Sequence, residues 1–319
     1  MNKRYLIDVF VNKHFEVEPF VAALLNLTSE YSEMPMPTKI AIPSDGVNRM
    51  SEPRASYRMV MSCIDVDVWC IEDAMSKDVS GSNSEEKYNV LPKMIRDYSP
   101  DFVMSVSTAE STPDIQGNGD TSINGSVLIG RNYAMFDVHS MGKDDPDPHS
   151  GSNLLVLPFA ESRANPNLFN VINSRVSQKA KSKFRKQIHC PADGMLCRGD
   201  ERFVSVGVVN VTNYKAYPIA DKAAYEYVKD KYPGIPVCIE TTHGIVNMSV
   251  KNAFPTNTPP VLFVSPITDR YLHFNDDVGT DGLQNYIAGY NAGIAVGELL
   301  MEIDKNPGII IVEGGKIED

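Results

Sequence analysis

The sequence predicts an α/β fold: a single three-layer domain, residues 1–319, with a central mixed β-sheet flanked by helices. Three observations carry that expectation. Short apolar, β-branched runs alternate along the chain with helix-sized segments. No internal repeat is visible and no linker divides the 319 residues. A chain of that length can bury one large core. The least patterned stretch, about 141–200, reads as an insertion into this domain rather than a second one.

In order along the chain, Tyr5 to Val11 and Lys39 to Ile42 read as strands. Between them Pro19 to Leu27 reads as a helix, with Pro19 suited to a first helical position. Met59 to Ile71, rich in apolar and β-branched residues around Asp65 and Asp67, forms one or two strands. Ser76 to Ser84 is a polar loop and Glu85 to Asp97 a helix with a kink at Pro92. A buried strand starts at Asp101 and exits into the hydroxyl-rich turn Ser107 to Thr112. Ser126 to Gly130 is a strand leading into Arg131, Asn132 and Tyr133. Phe203 to Val211 returns to strand pattern, Ala220 to Tyr232 to helix, and Val237 to Glu240 is a strand ending in a carboxylate. Val261 to Val264, bracketed by Pro259, Pro260 and Pro266, is too short for a typical helix and suits a buried strand. Thr268 and Asp269 stand at its exit. Leu283 to Ile303 is a core helix, apolar at Leu283, Ile287, Tyr290 and Ile294, with small residues around them that permit close approach.

Composition narrows the function classes. A formal charge of −11 argues against nucleic acid as the main partner, because phosphate binding needs a concentrated basic surface. The basic run Lys179 to Lys186 is read as a solvated helix face. No apolar stretch approaches the length of a membrane span, and the hydrophobic run after Arg4 is interrupted by Asp8 with no small-residue cleavage site after it. A soluble, cytoplasmic protein with no membrane partner is expected. Five irregularly spaced cysteines do not make a disulfide framework. His189, Cys190, Asp193 and Cys197 lack a second ligand pair, and the acidic stretch before His149 reads as an exposed loop, so no metal is expected.

Two acids at strand exits are the candidate chemistry: Glu240 and Asp269. In open α/β sheets ligands bind beyond the carboxyl ends of the strands. A strand, crossover and parallel strand would bring both carboxyls to one edge. Two plainer readings stand beside this one. Glu240 can cap the following helix, and Asp269 can pair with Arg270 or cap the next turn.

From about Glu86 to Ile303, outside 141–200, the chain resembles the nucleoside phosphorylase and nucleosidase superfamily, notably purine nucleoside phosphorylases and methylthioadenosine nucleosidases. Pro100 to Ala109 is similar to the family's Pro-Asp-strand-Gly-Ser-Ala-Gly turn. Gly125 to Ile129, followed by Tyr133 and Asp137, is similar to its Gly-Asp-Val-Val-Ile strand and Arg-Tyr-His-Asp ending. Val237-Cys238-Ile239-Glu240 resembles Val-Glu-Met-Glu, Ile267-Thr268-Asp269 resembles Ile-Ser-Asp, and Asn291 to Leu300 resembles the closing helix.

The resemblance implies cleavage of an N-ribosidic bond of a purine nucleoside, with no cofactor beyond inorganic phosphate as a possible co-substrate, in a homo-oligomer. It implies that Thr108 touches phosphate or water, with Ser107 as a further substrate-binding candidate. It also implies that Glu240 binds ribose hydroxyls, with Ile239 and Thr268 as further substrate-binding candidates, and that Asp269 acts on the purine. Tyr214 falls where family members set an aromatic against the base, although a core tyrosine fits as well. The chemistry agrees: the transition state needs one group to hold the sugar and another to neutralise the departing base.

Departures from the pattern bear on the nucleophile. Hexameric phosphorylases grip phosphate with an Arg where Ser105 stands here, and Ser107 and Glu110 replace usual glycines in the turn, obstructing an anion. Methylthioadenosine nucleosidases follow their first strand with a glycine and a water-activating Glu, where this chain has Asn12 and Lys13; Glu16 and Glu18 are the candidates to substitute. Arg49, Arg54 and Arg58 are either a rebuilt anion site or ordinary surface charges. Phosphorolysis is slightly preferred over hydrolysis at this level, and a nucleoside-binding protein without turnover is the alternative.

Overall fold

The computed structural model describes residues 4–41, 55–75, 87–88, 90–92, 94–95, 100–116, 122–137, 155–186, 194–209, 217–278 and 282–311. Arg49, Arg54, Tyr214, the loop at 76–84, the acidic stretch before His149, and His189 to Asp193 lie outside them. Among the described residues the strands are β1 (Tyr5–Val11), β2 (Thr38–Ala41), β3 (Ala55–Val60), β4 (Ile64–Cys70), β5 (Phe102–Val106), β6 (Ala109–Ser111) and β7 (Val127–Gly130). They continue with β8 (Asn132–Asp137), β9 (Leu155–Glu161), β10 (Cys197–Gly199), β11 (Val204–Val209), β12 (Val237–Glu240) and β13 (Val261–Asp269). Their order is β2-β3-β4-β1-β5-β13-β6-β12-β11-β8-β9, with β7 also on β13 and β10 on β7. Parallel and antiparallel pairs coexist, so the sheet is mixed as expected.

Period-two alternation on β1 separates the layers. Ile7, Val9 and Val11 enter the largest core cluster, whereas Phe10 packs with Trp69 and Phe263 in another. The first cluster is filled by α1 (His14–Glu30) and α4 (Leu283–Lys305). A third cluster lies under α2 (Tyr217–Lys231), while α3 (His243–Ala253) contributes Ile245, Val246 and Val250 to the second. Small residues on α4 set how closely it approaches α1. A Cβ added at Gly289 would lie 2.9 Å from the Glu16 carbonyl oxygen and 2.9 Å from the Pro19 ring.

Several local expectations change. The first helix begins at His14, so Pro19 is an interior residue and forgoes a backbone bond that the packing against α4 outweighs. Ser107 to Thr112 is not only a turn: Ala109–Ser111 is a strand because both its edges find partners, β12 and β13. β13 runs on through Pro266 to Asp269, nine residues that are all buried.

Much of the stretch set apart as an insertion is woven into the sheet and core. β9 pairs with β8 and β10 with β7. A helical segment, Asn167–Val171, Ile172–Val176 and Ser177–Lys183, buries Leu168, Ile172, Val176 and Ala180 in the main cluster. Its basic run is a helix face with partners: Lys179 pairs with Glu302 and Lys183 with Glu298, while Arg185 lies 3.8 Å over the Tyr290 ring. Among the described residues no helix is long and apolar enough to cross a membrane.

Candidate functional site

Residues 105–111, the end of β5 and all of β6, hold three groups of side chains together. The first is at the exit of β1. The Thr108 amide and hydroxyl both donate to Glu16 Oε1, at 3.0 and 2.6 Å. Glu16 Oε2 accepts the Lys13 amide at 3.1 Å, closing the first turn of α1. Asn12 Nδ2 donates to Ser107 Oγ at 3.3 Å. Of the two candidate glutamates, Glu16 is buried and inside the site, whereas Glu18 is exposed beside His14. Burial pushes the Glu16 carboxyl above its ordinary range, against the bonds from Thr108 and Lys13.

The second group surrounds the end of β12. Glu240 Oε2 accepts the Thr242 and His243 amides, the latter at 2.9 Å, so Glu240 does cap α3. Its other oxygen is spare. Oε1 is buried without a protein partner and lies over Gly207, where a Cβ would come within 3.4 Å of it. Next to it, His243 spans Ser105 Oγ at 2.8 Å and Ser265 Oγ at 3.1 Å, and stacks on Phe263. Burial lowers the His243 pKa and keeps the imidazole neutral. Ser105 therefore commits its hydroxyl to a histidine. Lys87 is fully buried, its amine 2.9 Å from Thr242 Oγ1 and pushed down to about 7, first by burial and then by Lys13.

The third group closes the end of β13. The Thr268 hydroxyl lies 2.5 Å from Asp269 Oδ1 and 3.3 Å from the Ala109 carbonyl. Asp269 Oδ2 is buried with no protein partner. Burial pushes this carboxyl up to about 7, the Thr268 bond opposing and Asp277 assisting. Glu110 sits opposite Asp269 in the β6–β13 register and accepts the Leu272 amide at 3.0 Å, so it turns away from Thr108 and does not obstruct the hydroxyl turn. Burial, then Asp221 and Asp269, push Glu110 well up; burial, then Asp269, do the same for Asp221. Three carboxyls gathered out of water cannot all ionise. Arg270 does not neutralise Asp269: it forks onto Asp277 at 2.8 Å.

The two acids at strand exits come near each other by a different route from the one expected. β12 runs antiparallel to β6, whereas β13 runs parallel to it. The strands carrying Glu240 and Asp269 are thus opposed, not parallel, and one short strand separates them. Two interstrand gaps span about 10 Å. Ile239, one residue before Glu240, faces the other way and packs in the cluster under α2. Arg58 spends its guanidinium on Asp67 at 2.6–2.7 Å, so it rebuilds no anion site here.

His14, Cys70 and Asp73 offer metal-ligand atoms within 4.8 Å of one another. Burial, followed by Asp73, holds the Cys70 thiol well up. Lys87, His243 and Asp221 were not legible as site residues. Only His243, directly after the Glu240-Thr-Thr run, carried a sequence signal.

No family model and no curated protein matches the sequence. Solved structures do. The chain is similar to the 5′-methylthioadenosine/S-adenosylhomocysteine nucleosidase of Neisseria meningitidis, with a TM-score of 0.52 and 14% identity over 93% of this chain and 99% of that one. It is similar to the futalosine hydrolase of Helicobacter pylori, with a TM-score of 0.53 and 11% identity over 93% and 98% of the two chains. A Helicobacter pylori methylthioadenosine nucleosidase, solved with 5′-methylthioadenosine in its active site, matches with a TM-score of 0.54 and 13% identity over 95% and 100%. Similarity of this kind, spread over nearly the whole length of each chain, concerns the fold: this protein has the fold of the nucleoside phosphorylase and nucleosidase superfamily.

Proposed function

We propose that the protein is a nucleosidase that hydrolyses the N-ribosidic bond of a purine nucleoside. The observation that supports this most strongly is the hold of Glu16 on both the amide and the hydroxyl of Thr108. Thr108 stands where the resemblance sets the group that touches phosphate or water. A carboxylate already seated there repels a phosphate dianion and suits a water.

In this reading a water bound to the Glu16 carboxylate, beside the Thr108 contact, attacks C1′ of the ribose. The C1′–N bond breaks, its electron pair leaves with the base, and the water proton passes to Glu16. Glu240 Oε1 accepts the sugar hydroxyls, for which its buried, unpartnered position is suited. Asp269, protonated below about 7, gives its proton to the departing purine. The raised carboxyl of Glu16 makes it a stronger base than a surface glutamate, at the cost of being protonated in mild acid. Only water and these side chains are needed.

Glu16 also weakens the binding-only alternative, which rested partly on the absence of a water-activating carboxylate. A nucleoside panel incubated with and without inorganic phosphate tests the proposal. Free base and ribose, at a rate indifferent to phosphate, are the expected products. Ribose 1-phosphate would establish phosphorolysis instead, and binding without release of base would remove the enzyme reading.

A further inference from the structure

Lys87 has no carboxylate oxygen within ion-pair distance among the described residues, although it is fully buried. A desolvated ammonium without a direct counter-ion is costly, and burial pushes the Lys87 amine down to about 7. Its hydrogen bonds go to Thr242 Oγ1 at 2.9 Å and, at 3.5 Å, to the Thr241 carbonyl. The amide of the same Thr242, with that of His243, is bound by Glu240 Oε2. Thr242 therefore carries a cation on its side chain and a carboxylate on its backbone.

The charges facing Lys87 come from four directions. Glu240 at the end of β12, Glu16 on α1 and Glu72 after β4 favour the ammonium, while Lys13 opposes it. Lys13 is itself paired with Glu72 at 3.3 Å, so the carboxylates left for Lys87 are the two assigned above to the sugar and to water. Its hydrogen bonds are spent on Thr241 and Thr242, so Lys87 acts through these neighbours.

We propose that Lys87 is a positioning residue for Glu240: its charge, acting through Thr242, fixes the turn that holds Oε2 and so keeps Oε1 directed at the sugar hydroxyls. The proposal rests on the nucleosidase reading of the site.

The readout is a ratio: the affinity for a nucleoside over that for its 2′,3′-dideoxy counterpart, which keeps the base and removes the hydroxyls. Wild type is expected to favour the hydroxylated ligand. K87M and K87Q, each checked for folding by thermal melt, are expected to lose at least tenfold of that preference, and K87R, which keeps the charge, to retain more of it. In wild type the ratio is expected to fall as the pH rises through about 7, where the Lys87 amine titrates; titration on the base side cancels between the two ligands. A folded K87M or K87Q with the wild-type ratio overturns the proposal, as does a loss in K87R equal to that in K87M, which would mean packing rather than charge. A wild-type ratio independent of pH also overturns it and needs no variant. Wild type with no preference at all refutes the ribose role of Glu240 itself, and the proposal falls with it.

Discussion

The Thr108 hydroxyl donates a 2.6 Å hydrogen bond to Glu16 Oε1 across 92 residues of sequence, and the Thr108 amide reinforces it at 3.0 Å. This one contact ties the exit of β1 to the exit of β5. It also buries a glutamate that stands five residues beyond the end of its strand.

Replacing Glu16 with Gln keeps the shape and one acceptor but removes the base. Hydrolysis should fall by roughly a hundred- to ten-thousandfold, the usual worth of general acid–base groups. Steady-state kinetics on a variant with a wild-type melt would check it. The acid limb of the wild-type profile should lie above the ordinary glutamate range, because burial raises the Glu16 pKa and the group works only when ionised. Wild-type turnover by E16Q would show that the Thr108 contact is structural.

Asp269→Asn should cost a similar factor with natural purine nucleosides and far less with a nitrophenyl riboside, whose leaving group needs no protonation. Wild-type activity toward purine nucleosides should decline as pH rises through about 7, since the acid form is the useful one. Equal losses on both substrates in a folded variant would instead make Asp269 a structural or sugar-binding residue.

Asp8 predicts a stability change unrelated to chemistry. It is buried, bonded at 3.2 Å to the Trp69 indole, and pushed up to about 8 mainly by burial. Because its folded pKa lies above the unfolded value of 3.8, its contribution is fully present below that value and is lost as the pH rises through about 8. Asp8→Asn keeps an acceptor for the indole without the charge. Melting temperatures measured from pH 5 to pH 8 should therefore diverge steadily in favour of D8N, by several degrees or more at the upper end. A gap that does not change with pH would contradict this.

Gly289 links helix packing to the site. A methyl group there meets the Glu16 carbonyl at 2.9 Å, so Gly289→Ala must push α1 and with it the Glu16 backbone. Overpacking of this kind costs roughly 1–3 kcal/mol, and hydrolysis should fall beyond what the loss of folded protein explains. Gly308→Ala, where the nearest atom is Asn306 Oδ1 at 3.5 Å, is the control and should leave both melt and rate unchanged.

Features that depend on neighbours along the chain follow from local sequence. Val237 to Glu240 and the run from Val261 are apolar over strand lengths, so their existence and the placing of carboxyls at their ends follow from local composition. Helices such as α2 and α4 follow from spacing in the same way. Which distant edges meet is set by the three-dimensional packing instead. Ala-Glu-Ser at 109–111 has no strand character of its own and becomes β6 because β12 and β13 each offer it an edge, and that pairing sets β12 against the direction of β13. Glu16 and Glu18 are alike in sequence, two residues apart; one is buried against Thr108 and the other is solvated, a choice made by the seating of α1 on α4. Nothing in the local sequence marks Lys87, whose amine is set against Thr242 only by long-range packing. Burial and long-range hydrogen bonds arise between elements, and no window of local sequence contains them.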